Sequence, residues 1–260
     1  MFRSLHVAAT GMAAQETKLD TIANNLANAN TAGYKRQDAE FEDLLYQTVR
    51  GAAATGAGAT APTSVQLGAG SRVAATPRTF SQGSIQQTAN PLDLAIEGNG
   101  FLSVQRPSGE AAYTRAGTLK LDAQGRLVTS DGLPIEPPIS VPTDATGVVI
   151  SPEGVVTAQH AGQQKPTQLG QLQLVTFPNP GGLDAAGHNL YTATAASGDA
   201  ISGSPGQEGR GTFMQGALES SNVEVVTEMI AMIRTQRAYE INSKVVAAAD
   251  EMLRNVTQMR

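Results

Sequence analysis

Residues 4–28, SLHVAATGMAAQETKLDTIANNLAN, and residues 223–259, VEVVTEMIAMIRTQRAYEINSKVVAAADEMLRNVTQM, resemble each other and not the sequence between them. In the first stretch Leu5, Ala8, Ala9, Met12, Leu19, Ile22, Ala23 and Leu26 recur near the 3.6-residue period of an amphipathic helix, and Gln15 and Glu16 interrupt the stripe. Ser4 suits the N-cap position. Much of the remaining surface is Ala, and Gly11 sits inside the helix, so a second helix can approach closely. The Thr31-Ala32-Gly33 stretch should end the element, with Gly33 in a left-handed terminating position. In the second stretch Ile230, Ile233, Ile241, Val245, Ala248, Met252, Val256 and Met259 recur at steps of three and four. About 37 residues of helix would span ~55 Å, far beyond the usual ~11–12 residues. The near-heptad apolar period calls for a coiled-coil partner, and the first helix is the natural candidate. Two such helices present more apolar face than one pair can bury, which points to contacts with further copies of the chain.

Working inward, Phe41, Leu44, Leu45 and Val49 continue a helical spacing, so a short helix or turn is predicted near residues 39–49. Residues 51–70 then turn to Gly, Ala, Thr, Pro and Ser, the composition of a linker or extended arm. From residue 72 onward the signals are those of short strands. Leu94 and Ile96 alternate after Asn90-Pro91, and Leu102 and Val104 alternate after Gly98-Asn99-Gly100. Leu119–Leu121 and Leu127-Val128 flank Asp122-Ala123-Gln124-Gly125 as a hairpin. Residues 148–150 and 155–157 flank Ser151-Pro152-Glu153-Gly154, whose Pro and Gly suit a type I turn. The expected organisation is a core helix over residues 1–33, a linker and arm over 34–71, an outer β-domain over 72–200, a return linker over 201–221 and a second core helix over 222–260. The fold class is α+β: paired terminal helices plus a central antiparallel all-β domain.

Composition narrows the function. Charged residues are 16% of the 260 and the formal net charge is −5, with no basic run longer than Lys35-Arg36, which argues against a nucleic-acid partner held through phosphates. Without Cys, no disulfide or thiolate site forms. No window reaches the ~18 apolar residues of a membrane span, so no membrane insertion is expected. Glu16, Lys18 and Asp20 interrupt the N-terminus where a cleavable secretory signal would need an apolar run.

His6, His160 and His188 are scattered, no carboxylate pair is placed as acid and base, and the Gly-rich triplets lack the setting of a phosphate cradle. These observations point to no catalytic residues, no cofactor and no metal: the chain reads as an assembly subunit and not as an enzyme. Asn24, Asn25, Asn28 and Asn30 are costly to bury unpaired. They either fray the helix end, or Asn24 and Asn28, one turn apart, set register against neighbouring subunits. Arg237, with Tyr239 and Glu240, interrupts the second stripe as a solvated face or as an inter-subunit ion pair.

Four separated motifs carry a family resemblance. The run Ile22-Ala23-Asn24-Asn25-Leu26-Ala27-Asn28-Ala29-Asn30-Thr31-Ala32-Gly33-Tyr34-Lys35-Arg36 resembles the N-terminal signature of bacterial flagellar rod and hook proteins. Phe41-Glu42-Asp43-Leu44-Leu45-Tyr46-Gln47-Thr48 is similar to the segment that follows it in distal-rod members. Asp93-Leu94-Ala95-Ile96-Glu97-Gly98-Asn99-Gly100-Phe101, with Tyr113-Thr114-Arg115-Ala116-Gly117, resembles the start of the family's β-domain. Ser221-Asn222-Val223 and the run from Gln236 to Lys244 resemble its C-terminal helix.

The resemblance implies a structural subunit that polymerises with copies of itself into the flagellar distal rod, a rigid drive shaft carrying motor torque to the hook. It implies paired terminal helices stacked in the inner core, an outward β-domain, and an arm near residues 46–70 that stiffens the shaft, with Tyr46, Val65 and Leu67 on it. The arm departs from the family at residues 51–61, which are unusually rich in Ala and Gly.

The implied partners are the proximal rod protein, the hook protein or hook junction, the P-ring and L-ring bushing and the flagellar type III export apparatus. The implied place is the basal body across the periplasm, reached unfolded and without a cleaved signal peptide. The assembly interface predicted on this basis comprises Leu5, Met12, Leu19, Ile22, Asn24, Leu26, Asn28, Ile230, Ile233, Ile241, Val245 and Met252. The isolated monomer is expected to have loosely ordered termini that become helical on assembly. A proximal rod or hook-type subunit is the alternative within the family. A secreted glycan-binding β-domain protein is the alternative outside it, although neither an acid pair nor an aromatic platform is visible for that role.

Overall fold

The computed structural model describes residues 2–50, 54–55, 59–60, 64–160 and 165–258. The chain is α+β, with one long helix at each end and an antiparallel β region between them. It divides into two compact units. One comprises Met1–Leu26, Gln37–Pro77 and Glu224–Arg260, and the other Ala27–Arg36 and Arg78–Val223.

The first unit holds helix α1, Phe2–Ala27, and helix α2, Val225–Gln258. They run antiparallel. Near one end Asn25 Nδ2 lies 3.4 Å from Glu228 Oε2, and near the middle a methyl group on Gly11 would sit 3.0 Å from Asn242 Nδ2. The seam between the helices is small and polar. Ala8, Ala14, Thr21, Ile22 and Asn25 are buried on α1; Glu228, Thr235 and Ala249 are buried on α2, with Asn242 half-buried among them. Glu228, Thr235, Asn242 and Ala249 fall seven residues apart, the repeat of a coiled-coil seam. The expected apolar stripe is therefore not the seam. Ile230, Ile233, Ile241, Val245 and Met252 are exposed, because the short side chains on the other face let the two helices close together.

The same unit contains a long β-ribbon where a short helix or turn near residues 39–49 was expected. Glu40–Asp43 pairs with Ser71–Ala75, Gln47–Arg50 with Val65–Leu67, and Ala54–Thr55 with Ala59–Thr60. The helical spacing of Phe41, Leu44, Leu45 and Val49 is overridden by partner strands downstream, with Phe41 opposite Val73 and Thr48 opposite Gln66, a tertiary pairing that local periodicity does not report. The composition shift over residues 51–70 thus falls within a ribbon wherever residues are described. Gly51, Ala52, Ala53, Gly56, Ala57, Gly58, Ala61, Pro62 and Thr63 lie outside the described residues. The middle of the ribbon is fixed to α1, where the Arg3 guanidinium donates to Gln47 Oε1 at 2.8 Å and to the Leu67 carbonyl at 2.5 Å.

The second unit is entirely antiparallel. A five-stranded sheet runs in the order Ile135–Glu136, Leu102–Gln105, Ala111–Thr114, Leu190–Thr192, Asp184–Gly187. Ala145–Ile150, Val155–His160 and Thr167–Gln171 form a second sheet, and Leu119–Leu121 pairs with Leu127–Thr129. Both predicted hairpins are present, and Gly154 N–H donates to the Ser151 carbonyl at 2.9 Å, closing the turn read from Pro152 and Gly154. The core joins Leu94, Ile96, Leu102, Leu119, Leu174 and Phe213 among its members. An aromatic cluster adjoins Phe101, Tyr113, Phe177 and Tyr191, with Phe80 packed on it.

The expected return linker over residues 201–221 is instead part of this unit. Ile201–Gly203 pairs with Leu174–Thr176, Thr212–Gln215 with Leu94–Glu97, and Ala217–Glu219 with Ile85–Gln87. Its Gly, Ser and Pro residues mark the turns between these strands.

Candidate functional site

Two constellations stand out, one in each unit. The first is the outer surface of the helix pair and ribbon. On α2, Val225, Val226, Met229, Ile230, Ile233, Tyr239, Ile241, Val245 and Met252 are exposed. On the ribbon, Leu45 is 90% exposed, and Phe41, Tyr46, Val49, Val65 and Leu67 are exposed as well. Singly exposed apolar residues are ordinary, but a row of them along one helix and one ribbon marks an interaction surface. A groove of about 390 Å³ opens among Arg3, Val7, Ala8, Leu67, Asn242 and Val245, so both helices and the ribbon contribute to it.

The predicted interface residues divide by position. On α2 all five are exposed. On α1 Leu5, Met12, Leu19 and Leu26 are half-buried, and Ile22 is buried inside the unit. Asn24 is exposed, and Asn28, now in the second unit, accepts from the Thr31 hydroxyl at 3.2 Å. The buried amide is their neighbour. Asn25 donates to the Gln37 carbonyl at 2.7 Å and accepts from Gln37 N–H at 3.0 Å, so its side chain closes the chain reversal that follows α1. A periodicity clue was available: Asn25 follows Thr21 and Ile22 by four and three residues, on the buried face.

The second constellation is an ion cluster buried in the β unit. Lys35 Nζ donates to Glu219 Oε1 at 2.6 Å and to the Ser81 carbonyl at 2.7 Å. Arg115 Nε donates to Glu219 Oε2 at 2.9 Å, and its Nη2 reaches the Gly98 carbonyl at 2.9 Å. Gly83 N–H adds a further donor to Glu219 Oε1. All three charged side chains are almost fully excluded from solvent. Burial, and then the adjacent Arg115 cation, depress the Lys35 pKa, with Glu219 opposing both.

The cluster sits where three segments cross. Gly33 N–H donates to the Glu219 carbonyl at 2.8 Å, Arg36 N–H to Asn222 Oδ1 at 2.7 Å, and Asn222 Nδ2 to the Thr79 carbonyl at 2.8 Å. Gly33 has φ +72, and a methyl group there would lie 2.7 Å from the Ala116 nitrogen, so only glycine fits. The motifs Gly33-Tyr34-Lys35-Arg36, Tyr113-Thr114-Arg115 and Ser221-Asn222 therefore converge in space. No local signal in the sequence pairs Lys35 with Glu219 across 184 positions.

Among the described residues no group of three or more His, Asp or Glu is arranged to hold a metal ion, and no helix is long and apolar enough to cross a membrane. His160 instead meets Asp144 at 3.1 Å, and His188 meets Asp131 at 3.6 Å.

A unit of two terminal helices and a ribbon with exposed apolar rows, and a β unit with its own core and internal buried ion cluster, define a subunit class built for assembly. Comparison with known proteins agrees. Residues 5–35 match the family described as flagella basal body rod protein, residues 95–158 the flagellar hook protein FlgE/F/G D1 domain, and residues 214–259 the flagellar basal body rod FlgEFG protein C-terminal region. The chain is 47% identical over 260 residues to the flagellar basal-body rod protein FlgG of Caulobacter vibrioides, covering 99% of each. It is 47% identical over 256 residues to that of Borreliella burgdorferi, covering 97% of each, and 39% identical over 265 residues to that of Bacillus subtilis, covering all of both. The chain belongs to the flagellar basal-body rod protein family, and it is a structural subunit of the flagellar rod.

Proposed function

We propose that this subunit polymerises helically into the distal rod through the outward face of α2, the half-buried flank of α1 and the ribbon, and that the polymer carries motor torque to the hook. The observation that carries this reading is the distribution of side chains on α2. Most of its large apolar residues are exposed, Met232, Val246 and Leu253 are half-buried, and Glu228, Thr235, Asn242 and Ala249 face α1. Such an outer row is satisfied by a different patch on the next copy. A heterologous contact of that kind does not close, and it propagates as a helical polymer.

Leu5, Met12, Leu19 and Leu26 join Ile230, Ile233, Ile241, Val245 and Met252 in this interface; Asn24 and Asn28 are its polar members. Ile22 belongs to the subunit's own packing. Tyr46, Val65 and Leu67 act as the stiffening contacts of the arm. The subunit is not an enzyme. It joins the proximal rod protein below and the hook protein or hook junction above, turns inside the P-ring and L-ring bushing across the periplasm, and reaches its place unfolded through the type III export apparatus without a cleaved signal peptide.

Electron microscopy of the purified protein under assembly conditions tests the reading. Straight tubes are expected from the native chain and none from a chain carrying Ile233→Ser and Ile241→Ser. Tubes of unchanged length and number from the double variant would overturn it.

A further inference from the structure

Lys35 and Arg115 place two cations in the interior of the β unit, and Glu219 is the carboxylate that both of them contact. It arrives late in the chain, 184 positions after Lys35 and 104 after Arg115. The segment that delivers it also closes the core. Thr212–Gln215 covers the edge of Leu94–Glu97 and inserts Phe213 among the buried leucines and isoleucines, and Ala217–Glu219 pairs with Ile85–Gln87. Asn222 then ties Arg36 N–H to the Thr79 and Ser81 carbonyls. Before this segment is present, the strand Leu94–Glu97 lacks its pairing partner and two desolvated cations lack a counter-charge. A buried cation without its partner is strongly disfavoured.

We propose that Glu219 and the strands around it act as a folding gate, which keeps the β unit unfolded until residues 212–222 are available. A chain that emerges from its N-terminus first then stays threadable over nearly all of its length, and it folds in one step when residues 212–222 arrive. The use of such a gate, keeping the subunit fit for passage through an export channel, rests on the function proposed above. The gate itself does not, because refolding in solution involves neither export nor polymer.

The test is pulsed hydrogen exchange during refolding of the full-length chain from urea. The amides of Ile96, Leu102 and Val104 are expected to gain protection in the same kinetic phase as those of Phe213 and Leu218. Protection of Leu102 and Val104 in an earlier phase would overturn the gate. Glu219→Gln keeps the side-chain shape and removes the charge. It is expected to slow refolding by at least about ten-fold, because the ion cluster forms in the rate-limiting step. Glu110→Gln, which removes an exposed carboxylate paired with Arg106, should leave the rate unchanged. A Glu219→Gln chain refolding at the native rate would overturn the proposal. If Glu219→Gln does not refold at all, adding Lys35→Met decides the matter. Recovery supports the charge-balance gate, and continued failure overturns it.

Discussion

The two units of this protein solve opposite packing problems. In the β unit Leu94, Ile96, Leu102 and Leu174 are fully buried, and Glu219 pairs with both of the buried cations Lys35 and Arg115. In the helix unit most large apolar residues of α2 are exposed, Met232, Val246 and Leu253 are half-buried, and the buried seam is Ala, Thr, Asn and Glu together with Ile22. A folded domain that ends at its own surface follows the first pattern. A part whose packing is completed by other copies follows the second. The contrast teaches that hydrophobic periodicity locates a buried face without saying what buries it. On α2 the buried positions facing α1 are Glu228, Thr235 and Ala249, while Ile230, Ile233 and Ile241 stay exposed in the single chain.

Native-state hydrogen exchange on a dilute monomer should show the amides of Leu102 and Val104 protected at least about a hundredfold more than those of the two helices, since local opening spans the range from near zero to the global stability. Equal protection in both units would remove the distinction. In the β core, Leu102→Ala should lower the unfolding free energy by about 2–5 kcal/mol in a urea titration followed by circular dichroism.

In the helix unit, Asn25→Ala strips partners from both backbone groups of Gln37 and a donor from buried Glu228. The expected loss is about 1–3 kcal/mol, read as faster exchange of α1 amides with little change in the β-unit transition.

The alkaline limb comes next. Burial raises the Tyr191 pKa above its usual 10.0 despite the opposing Arg78 cation. The unfolded chain therefore loses that phenolic proton first. The stabilisation is complete below pH 10 and is lost as the pH rises through the folded-state value. Lys35 acts in the other sense. Its lowered folded pKa means that stability from this group increases between that value and 10.5. Thermal unfolding against pH should flatten above pH 10 in Tyr191→Phe and below 10.5 in Lys35→Met. The smallest effect is on monomer stability of Ile241→Ser, expected within about 0.5 kcal/mol of native because the side chain is exposed. The same variant should lose polymer in the electron microscope, and a large monomer defect would instead place Ile241 inside the subunit.

The candidate site was legible in proportion to how local its causes are. Ile230, Ile233, Ile241, Val245 and Met252 could be named from spacing because a helix repeats every 3.6 residues whatever it packs against. Asn24 and Asn28, one turn apart, suit either a fraying helix end or a register-setting contact; Asn24 is exposed and Asn28 half-buried, while Asn25 between them holds the chain reversal. Only the position of Gln37 reveals that role. The ribbon read as a helix and linker, since Phe41, Leu44, Leu45 and Val49 fit a helical period and their true partners lie past a stretch poor in large residues.

The helical ends, the two hairpins flanking Gly125 and Gly154 and the α+β class follow from the linear pattern, because propensity, period and turn chemistry act over a few residues, but α1 stops at Ala27, ahead of the stop expected at Thr31-Ala32-Gly33. Tertiary structure alone decided which face of α2 meets α1, that residues 201–221 complete the β unit, and that Lys35, Arg115 and Glu219 share one buried site. Those outcomes depend on which distant groups fill a given volume and balance a given charge, and a linear pattern records neither.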